Sequence, residues 1–359
     1  MTTLRPNWNI QGPLDLVLPI DPDPWPDVDW EALRFMGQPH VHQDAQDALM
    51  AGGIWGTDNA AQGGGTGIAF AYSQPDLAAV RVACLGWKKN PVKPDPEHAC
   101  RDGLYFMAGF EMTHEVFFAR GVHDVAERCT SAPWFSLEGE VLLDSPGWRP
   151  QNLDCLLARA QGPDRGTGLR FTNLRALGWA MYWKAASHKC ARVLGAPEST
   201  AWMQKALQIL ELAAVPGTGQ IGCSPGDDQH PLDQPNCLYT FHGSIAVMGA
   251  LACAHRLHYA VPSWIEPWLD NLAVLPPINY YGSPSLPAFT YSQGGALHAA
   301  TGAGQQGDPE FAWWSTLHTV MYRETHKQKF LDRIGQYGGL VASDEQNRKW
   351  SMVYRGTHG

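Results

Sequence analysis

Residues 171–195 read FTNLRALGWAMYWKAASHKCARVLG, a long stretch rich in Ala, Leu and aromatic residues. The pattern predicts a helix from Phe171 to Leu194 that is closed by Gly195, because glycine is the residue that most often ends a helix. Pro197-Glu198-Ser199 predicts the start of a second helix, which ends before Pro216-Gly217. The short connection indicates that the two helices are antiparallel neighbours.

Similar elements continue to about Gly335, separated by loops rich in Pro and Gly. The further predicted elements are Leu238 to Leu257, a shorter helix after Pro262, Tyr291 to Ala300, Pro309 to Tyr322 and Lys327 to Ile334. In such a series each helix pair buries its apolar flank against the next pair. We therefore expect a mainly α fold in which residues 151–340 form a ring or solenoid of helical hairpins.

Three other regions flank this helical part. Residues 1–30 are rich in Pro and Asp and predict an extended arm, because Pro fixes φ and removes a backbone donor. Residues 31–150 predict a smaller mixed α/β part, and residues 341–359 a polar tail. The elements predicted in the mixed part are the β-like runs Thr66–Tyr72 and Ala79–Trp87, a helix from Gly109 to Arg128 and a β-like piece from Trp134 to Leu143.

The amino-acid composition indicates which classes of molecule the protein can bind. The chain has 359 residues, 44% of them hydrophobic and 17% charged, which is typical of an ordered globular protein. Its net charge of -9, without a dense Lys/Arg block, argues against nucleic acid or an anionic membrane as partner, because phosphate binding needs clustered cations. The 15 Trp residues supply broad contact surfaces for sugars or partner proteins, or else fill the core.

Cysteine usage and the amino terminus indicate where the protein is made. The 8 Cys residues form no C-x-x-C pair, and Cys190 and Cys253 lie in apolar helical patterns, so we expect reduced thiols and synthesis in the cytosol. The even number leaves disulfides open. The first ten residues, MTTLRPNWNI, lack the apolar segment of an export signal, and no stretch approaches the roughly 20 apolar residues of a membrane span.

Asn236, Tyr239 and His242 form the candidate catalytic group. Their spacing places them on one face if the segment is helical. An amide, a phenol and an imidazole could neutralise a uronate carboxylate and transfer protons in a β-elimination. The alternative is that His242 caps a helix or is a satisfied core residue.

A zinc site over the same stretch is not predicted. Cys223, His230, Cys237 and His242 are suitable ligands, but their spacings are loose and no adjacent Cys-His pair is present. The glycine-rich run at residues 63–67 lacks the Lys-Ser/Thr of a phosphate-binding loop. We therefore expect neither a metal nor another cofactor.

Two further groups of residues are candidates for ligand chemistry. Trp313 and Trp314 could form a stacking platform for a glycan, with Tyr281 and His298 as additional ligand contacts. Carboxylates for glycoside hydrolysis could come from Glu111, Glu115 and Asp124, or instead from Asp227-Asp228. A solvated helix face explains Glu111 and Glu115 equally well.

The segment Phe171–Ala180, the helix after Pro197, and the segment Phe241–Leu257 followed by Pro262-Ser263-Trp264 resemble an (α/α) toroid. This fold is shared by alginate- and heparin-lyase-type enzymes and by many helical glycosidases. The Arg-x-x-Gly-Trp-Ala segment that begins at Arg175 and the helix around His114 also resemble toroid-containing structural proteins of tailed phages. Alginate-lyase-like toroids carry an Asn-Asn-His-Ser-Tyr type of motif, which this chain lacks.

The resemblance implies a structural, tail-associated component of a tailed phage or phage-like particle, made in the host cytoplasm. Its implied partners are other virion proteins or further copies of itself, joined through the amino-terminal arm, and host-surface glycans. The alternative is a cytoplasmic polysaccharide lyase or glycosidase acting on an acidic polysaccharide. That enzyme would use Asn236, Tyr239 and His242, with Tyr281 or His298 as a further candidate.

Overall fold

The computed structural model describes residues 106–107, 109–110, 113–131, 153–162, 170–171, 174–195, 200–223, 237–280, 283–300, 313–334 and 336. The predicted arm, the predicted β-like pieces of residues 31–150 and the polar tail lie outside these ranges. The chain divides into two compact units. Unit 1 comprises Met1–Arg128, Ala186–Glu198 and Ser343–Gly359, and unit 2 comprises Cys129–Ala185 and Ser199–Ala342.

In unit 1 the main described element is helix α1, Val116–Ser131, which belongs to this unit as far as Arg128. The predicted helix from Gly109 to Arg128 is wrong in its continuity, because His114 has a φ of 54° and interrupts it. Phe106 and Phe118 are fully buried and pack over glycines of this region. His123 Nδ1 lies 3.0 Å from Ser187 Oγ, so α1 contacts the segment Ala186–Glu198 of the same unit.

Unit 2 contains most of the described helices and strands. Its helices are α2 Leu153–Ala160, the first part of α3 Leu174–Leu194, α4 Thr200–Ala213, α5 Thr240–Leu257, α6 Ile265–Ala273, α7 Trp313–Thr325 and α8 Gln328–Arg333. Its strands are β1 Arg170–Phe171, β2 Gly222–Cys223, β3 Leu238–Tyr239, β4 Ile278–Tyr280, β5 Ser283–Ser285, β6 Phe289–Gln293 and β7 Ala296–Ala299.

The predicted helices of the fold-determining stretch are confirmed with small changes of boundary. Helix α3 begins at Leu174, because Phe171 pairs with Cys223 in the parallel β1–β2 ladder. Gly195 has a φ of 62° directly after α3, as the prediction of a glycine stop requires. The prediction from Leu238 to Leu257 is also confirmed except that its first two residues are strand β3.

Helices α3 and α5 cross at two glycines. A Cβ atom at Gly178 would lie 2.6 Å from the backbone C and O of Ile245, and one at Gly249 would lie 2.2 Å from the carbonyl oxygen of Gly178. Every residue of α5 from Thr240 to Ala254 is buried. Only glycine allows two backbones to approach this closely, so this crossing fixes α5 at the centre of the unit 2 core.

The prediction of a helical element from Tyr291 to Ala300 is wrong. Phe289–Gln293 and Ala296–Ala299 form an antiparallel hairpin, β6–β7. Gly294 and Gly295 have φ values of 61° and 81°, the positive values of a two-residue hairpin turn. The glycine pair and the alternation of buried and exposed residues along β6 outweigh the helical context on either side.

The described part is therefore mostly helical, with a small three-stranded antiparallel sheet. Within unit 2, α4 packs on α2 and α5, and α7 packs on α5 and α8. Closure of these helices into a toroid stays a prediction, as do the domain boundaries drawn from the sequence. Among the described helices, none combines the length and apolarity needed to cross a membrane.

Candidate functional site

The candidate site lies on the three-stranded sheet of unit 2, in which β6 is the central strand between β3 and β7. Tyr239 of β3 pairs with Phe289 of β6, and Tyr291 of β6 pairs with His298 of β7. Alternate residues of a strand point to opposite faces of the sheet. Phe289 and Tyr291 therefore lie on one face, and Thr290 and Ser292 on the other.

The face of the sheet that points into the core carries buried polar residues of β6 beside two buried leucines, Leu238 and Leu297. Thr290 and Ser292 are buried on it, and both are hydrogen-bonded. The amide nitrogen of Gln220 donates to the Thr290 carbonyl and hydroxyl oxygens, each at 3.1 Å, while its amide oxygen accepts from the Trp268 indole at 2.9 Å. Thr218 and Ser292 hydroxyls lie 2.9 Å apart. These bonds satisfy the buried polar groups and hold β6 rigidly.

Helix α5 fixes the start of β6. Thr240, its first residue, is fully buried. Its hydroxyl donates to the Pro287 carbonyl at 2.6 Å, and its backbone N–H donates to the Ala288 carbonyl at 2.8 Å. The sheet is thus hydrogen-bonded to α5, the central core helix. These bonds fix the backbone that carries the side chains on the face of the sheet opposite Thr290 and Ser292.

The outer face of the sheet is aromatic. Tyr239, Phe289 and Tyr291 are half-buried, and His298 is exposed. The rings of Tyr239 and Phe289 lie 5.0 Å apart, and those of Tyr291 and His298 lie 5.1 Å apart at an interplanar angle of 27°. We call Tyr239, Phe289, Tyr291 and His298 the aromatic face.

Strand β6 reverses the usual distribution of side chains, in which apolar residues point inward and polar residues outward. Thr290 and Ser292 occupy core positions, and Phe289 and Tyr291 remain partly in contact with solvent. An outward aromatic row contributes less to folding than an inward one, because less apolar surface leaves water. The half-buried rings leave part of their surface available to a ligand or partner.

The structure brings two of the three predicted catalytic residues together. The Tyr239 and His242 rings lie 4.9 Å apart, while Asn236 lies outside the described residues. His242 is only 5% exposed and is also near Phe241, with 6.2 Å between ring centroids. Its imidazole therefore packs in the start of α5, as expected for the alternative of a core histidine.

Trp313 and Trp314 have 0% exposed surface, which corrects the expectation of a stacking platform. Trp313 stacks on Trp268 at 5.9 Å, and the Trp314 indole donates to the Arg333 carbonyl at 2.9 Å. Both rings are core residues that join α7 to its neighbours, so neither offers a face to a ligand. Of the two other predicted ligand contacts, His298 lies on the aromatic face and Tyr281 lies outside the described residues.

Four cysteine side chains of the described residues are buried, those of Cys129, Cys190, Cys237 and Cys253. Burial raises the pKa of the Cys253 thiol far above its ordinary range, and this thiol donates to the Met181 carbonyl at 3.3 Å. A protonated thiol is a poor nucleophile and metal ligand, which leaves Cys253 as a packing residue.

The candidate zinc ligands and the candidate carboxylates lie only partly within the described residues. His230 and the side chain of Cys223 lie outside the described residues, as do Glu111 and Asp227-Asp228. Among the residues whose positions the structure gives, none of the His, Cys, Asp and Glu side chains gather into a group able to hold a metal ion. Glu115 is half-buried and Asp124 is exposed on α1.

Comparison with known proteins gives no family to which the site could be assigned: no family model, curated protein or solved structure matches the chain.

Phe289 and Tyr291 are the residues of the aromatic face that the sequence analysis did not single out. The signal that locates them is local: FTYSQ alternates aromatic and polar residues directly before Gly294-Gly295. Such alternation before a glycine pair predicts a hairpin strand with both rings on one face. Which face would be buried depends on Gln220, 70 residues away from Thr290 in sequence, and is not visible in the local pattern.

Proposed function

We propose that this protein binds glycans through the aromatic face without turning them over, as a structural component of a tailed phage or phage-like particle. The observation that carries the glycan part is the reversed pattern of β6, whose hydrogen-bonded polar residues face the core while its aromatic rings face outward. The particle part is supported by the resemblance of the Arg175–Ala180 segment and of the sequence around His114 to phage structural proteins.

The chemistry of the aromatic face suits a neutral sugar. The three strands contain no Asp, Glu, Lys or Arg, so no strand residue supplies a permanently charged partner for an ionic ligand. A pyranose ring presents apolar C–H surface that packs on aromatic rings and hydroxyl groups that bond to neighbouring polar atoms. Phe289 and Tyr291 supply the former, and His298 and Gln293 the latter.

The rival function is a polysaccharide lyase or glycosidase, for which the 4.9 Å contact between Tyr239 and His242 is the supporting observation. A general base must come within hydrogen-bonding distance of the proton that it removes. The 5% exposure of His242 opposes such an encounter, and this is why the binding role is preferred.

The decisive experiment measures binding of the purified full chain to an array of neutral oligosaccharides, followed by titration calorimetry with the best one. Packing a sugar on one ring removes roughly 40 Å² of apolar surface from water, about 1 kcal/mol or fivefold in affinity. We expect Tyr291→Ala to weaken binding about fivefold. The matched control is Tyr259→Ala, since Tyr259 is 48% exposed and lies outside the sheet.

Three results would contradict the proposal. One is the absence of binding to any neutral oligosaccharide, and another is an equal effect of the two tyrosine substitutions. The third is that the protein releases unsaturated products or reducing ends from acidic polysaccharides and that His242→Ala abolishes this release. That result would establish the rival enzymatic function. The particle part is tested separately by measuring the copy number of the chain in purified particles, where its absence would refute that part.

A further inference from the structure

His298 is held in one orientation at the end of the aromatic face. Its Nε2 lies 3.2 Å from the backbone carbonyl oxygen of Gln293, at the other end of the hairpin turn. Its ring stacks on Tyr291 with 5.1 Å between centroids. One hydrogen bond and one ring contact therefore determine the direction of the imidazole.

The carbonyl partner also determines the tautomer. A carbonyl oxygen only accepts, so Nε2 must carry the hydrogen in this bond. In the neutral ring the other nitrogen, Nδ1, is then an acceptor. Because His298 is exposed, this acceptor belongs to a side chain that a ligand reaches from solvent.

The backbone beneath the ring is rigid enough to make this acceptor a selective group. Gly294 and Gly295 form the tight turn, and Ser292 on the opposite side of the strand is bonded to Thr218 within the core. A fixed polar atom discriminates between ligands better than a flexible one, because no conformational entropy is lost when it binds.

On the basis of the proposed glycan binding, we propose that His298 determines which neutral sugar is bound, by accepting a hydrogen bond at Nδ1 from a ring hydroxyl. Tyr291 and Phe289 provide apolar contact that is similar for many sugars. The Nδ1 acceptor requires a hydroxyl at one position of the ring that packs beside it. Sugars that differ only in the orientation of that hydroxyl are therefore distinguished by His298.

The first test does not depend on binding. Long-range ¹H–¹⁵N correlation spectra of the full chain at neutral pH report the tautomer of each histidine. We expect the Nε2–H form for His298, assigned by comparison with the His298→Phe variant. The Nδ1–H form, or an even mixture of the two, would overturn the inference while leaving glycan binding intact.

The second test separates recognition from general contact. The probes are methyl glycosides of glucose, galactose and mannose and their monodeoxy derivatives. A single hydrogen bond corresponds to about three- to tenfold in affinity. For wild type we expect one deoxy derivative to bind about three- to tenfold more weakly than its parent glycoside. For His298→Phe we expect this deoxy derivative and its parent glycoside to bind equally. Phe retains the ring that stacks on Tyr291 but has no acceptor.

Phe289→Ala is the matched comparison in this second test, because it removes a ring of the aromatic face but keeps Tyr291, the ring that stacks on His298. It should weaken all the glycosides by a similar factor and keep the difference between parent and deoxy sugar. If His298→Phe keeps the full wild-type preference, the inference is wrong although the aromatic face binds sugar. If wild type binds none of the glycosides or oligosaccharides, the proposed function fails and the inference fails with it.

Discussion

Replacing Gly249 by Ala should destabilise unit 2 strongly, although Ala normally favours a helix. A Cβ atom at this position would lie 2.2 Å from the Gly178 carbonyl oxygen and 2.9 Å from the Met181 Cβ atom. Ordinary contact distances are about 3.5–4.0 Å, so α3 and α5 would have to separate by more than about 1 Å. Overpacking of this kind costs roughly 1–3 kcal/mol, and more where backbone rather than side chain must move.

The intrinsic preference for Ala over Gly in a helix opposes this cost by about 1 kcal/mol. We therefore expect a net loss of about 2 kcal/mol in the free energy of unfolding, measured by urea denaturation with circular dichroism. Ala158→Gly in α2, where the side chain is exposed, is the matched control for the propensity alone. A Gly249→Ala variant as stable as wild type, or more stable, would refute the close crossing of α3 and α5.

Two further predictions concern buried polar groups. Burial lowers the pKa of His318 to about 3, whereas in the unfolded chain this ring titrates near its ordinary value of about 6.5. The unfolded state therefore binds the proton first, and the free energy of unfolding falls as pH drops from about 6.5 toward 3, by at most about 3 kcal/mol between pH 6.5 and 4. We expect this pH dependence to be reduced in His318→Gln. An unchanged slope would contradict its assignment to His318. Gln220→Met should cost roughly 2–4 kcal/mol by leaving Trp268 and Thr290 unpaired, whereas the same change at the exposed Gln204 should cost little.

Helical periodicity and terminating glycines were sufficient to predict most helices of unit 2. Helices α3, α4 and α5 follow from patterns within a few residues of each end, because propensity and capping are local. Their boundaries shift where a neighbouring strand takes the first residues. Phe171 pairs with Cys223, 52 positions later, and no local signal announces that ladder.

The hairpin at residues 289–299 shows a different cause of error. Its glycine pair is a strong local signal for a hairpin, whereas the predicted helices on either side favour a helical interpretation. For Trp313 and Trp314 the difficulty is burial rather than secondary structure. A tryptophan on a helix serves equally well as core residue or binding surface, and only tertiary packing distinguishes the two.

The candidate site was predicted in part. Tyr239 and His298 were selected from the sequence, and the structure places both on the aromatic face. The grouping of these two residues with Tyr291 depends on strand register and could not be derived from spacing along the chain. His242 was selected by its spacing from Tyr239, but its burial at the start of α5 argues for a packing role.

The most direct test of glycan binding at the aromatic face is a titration of the ¹⁵N-labelled chain with neutral oligosaccharides, in which binding is monitored through amide chemical shifts. We predict that the largest changes occur along Phe289–Gln293 and Ala296–Ala299, with Tyr259 unaffected. Changes concentrated elsewhere, or no change at saturating sugar, would contradict a binding role for this sheet.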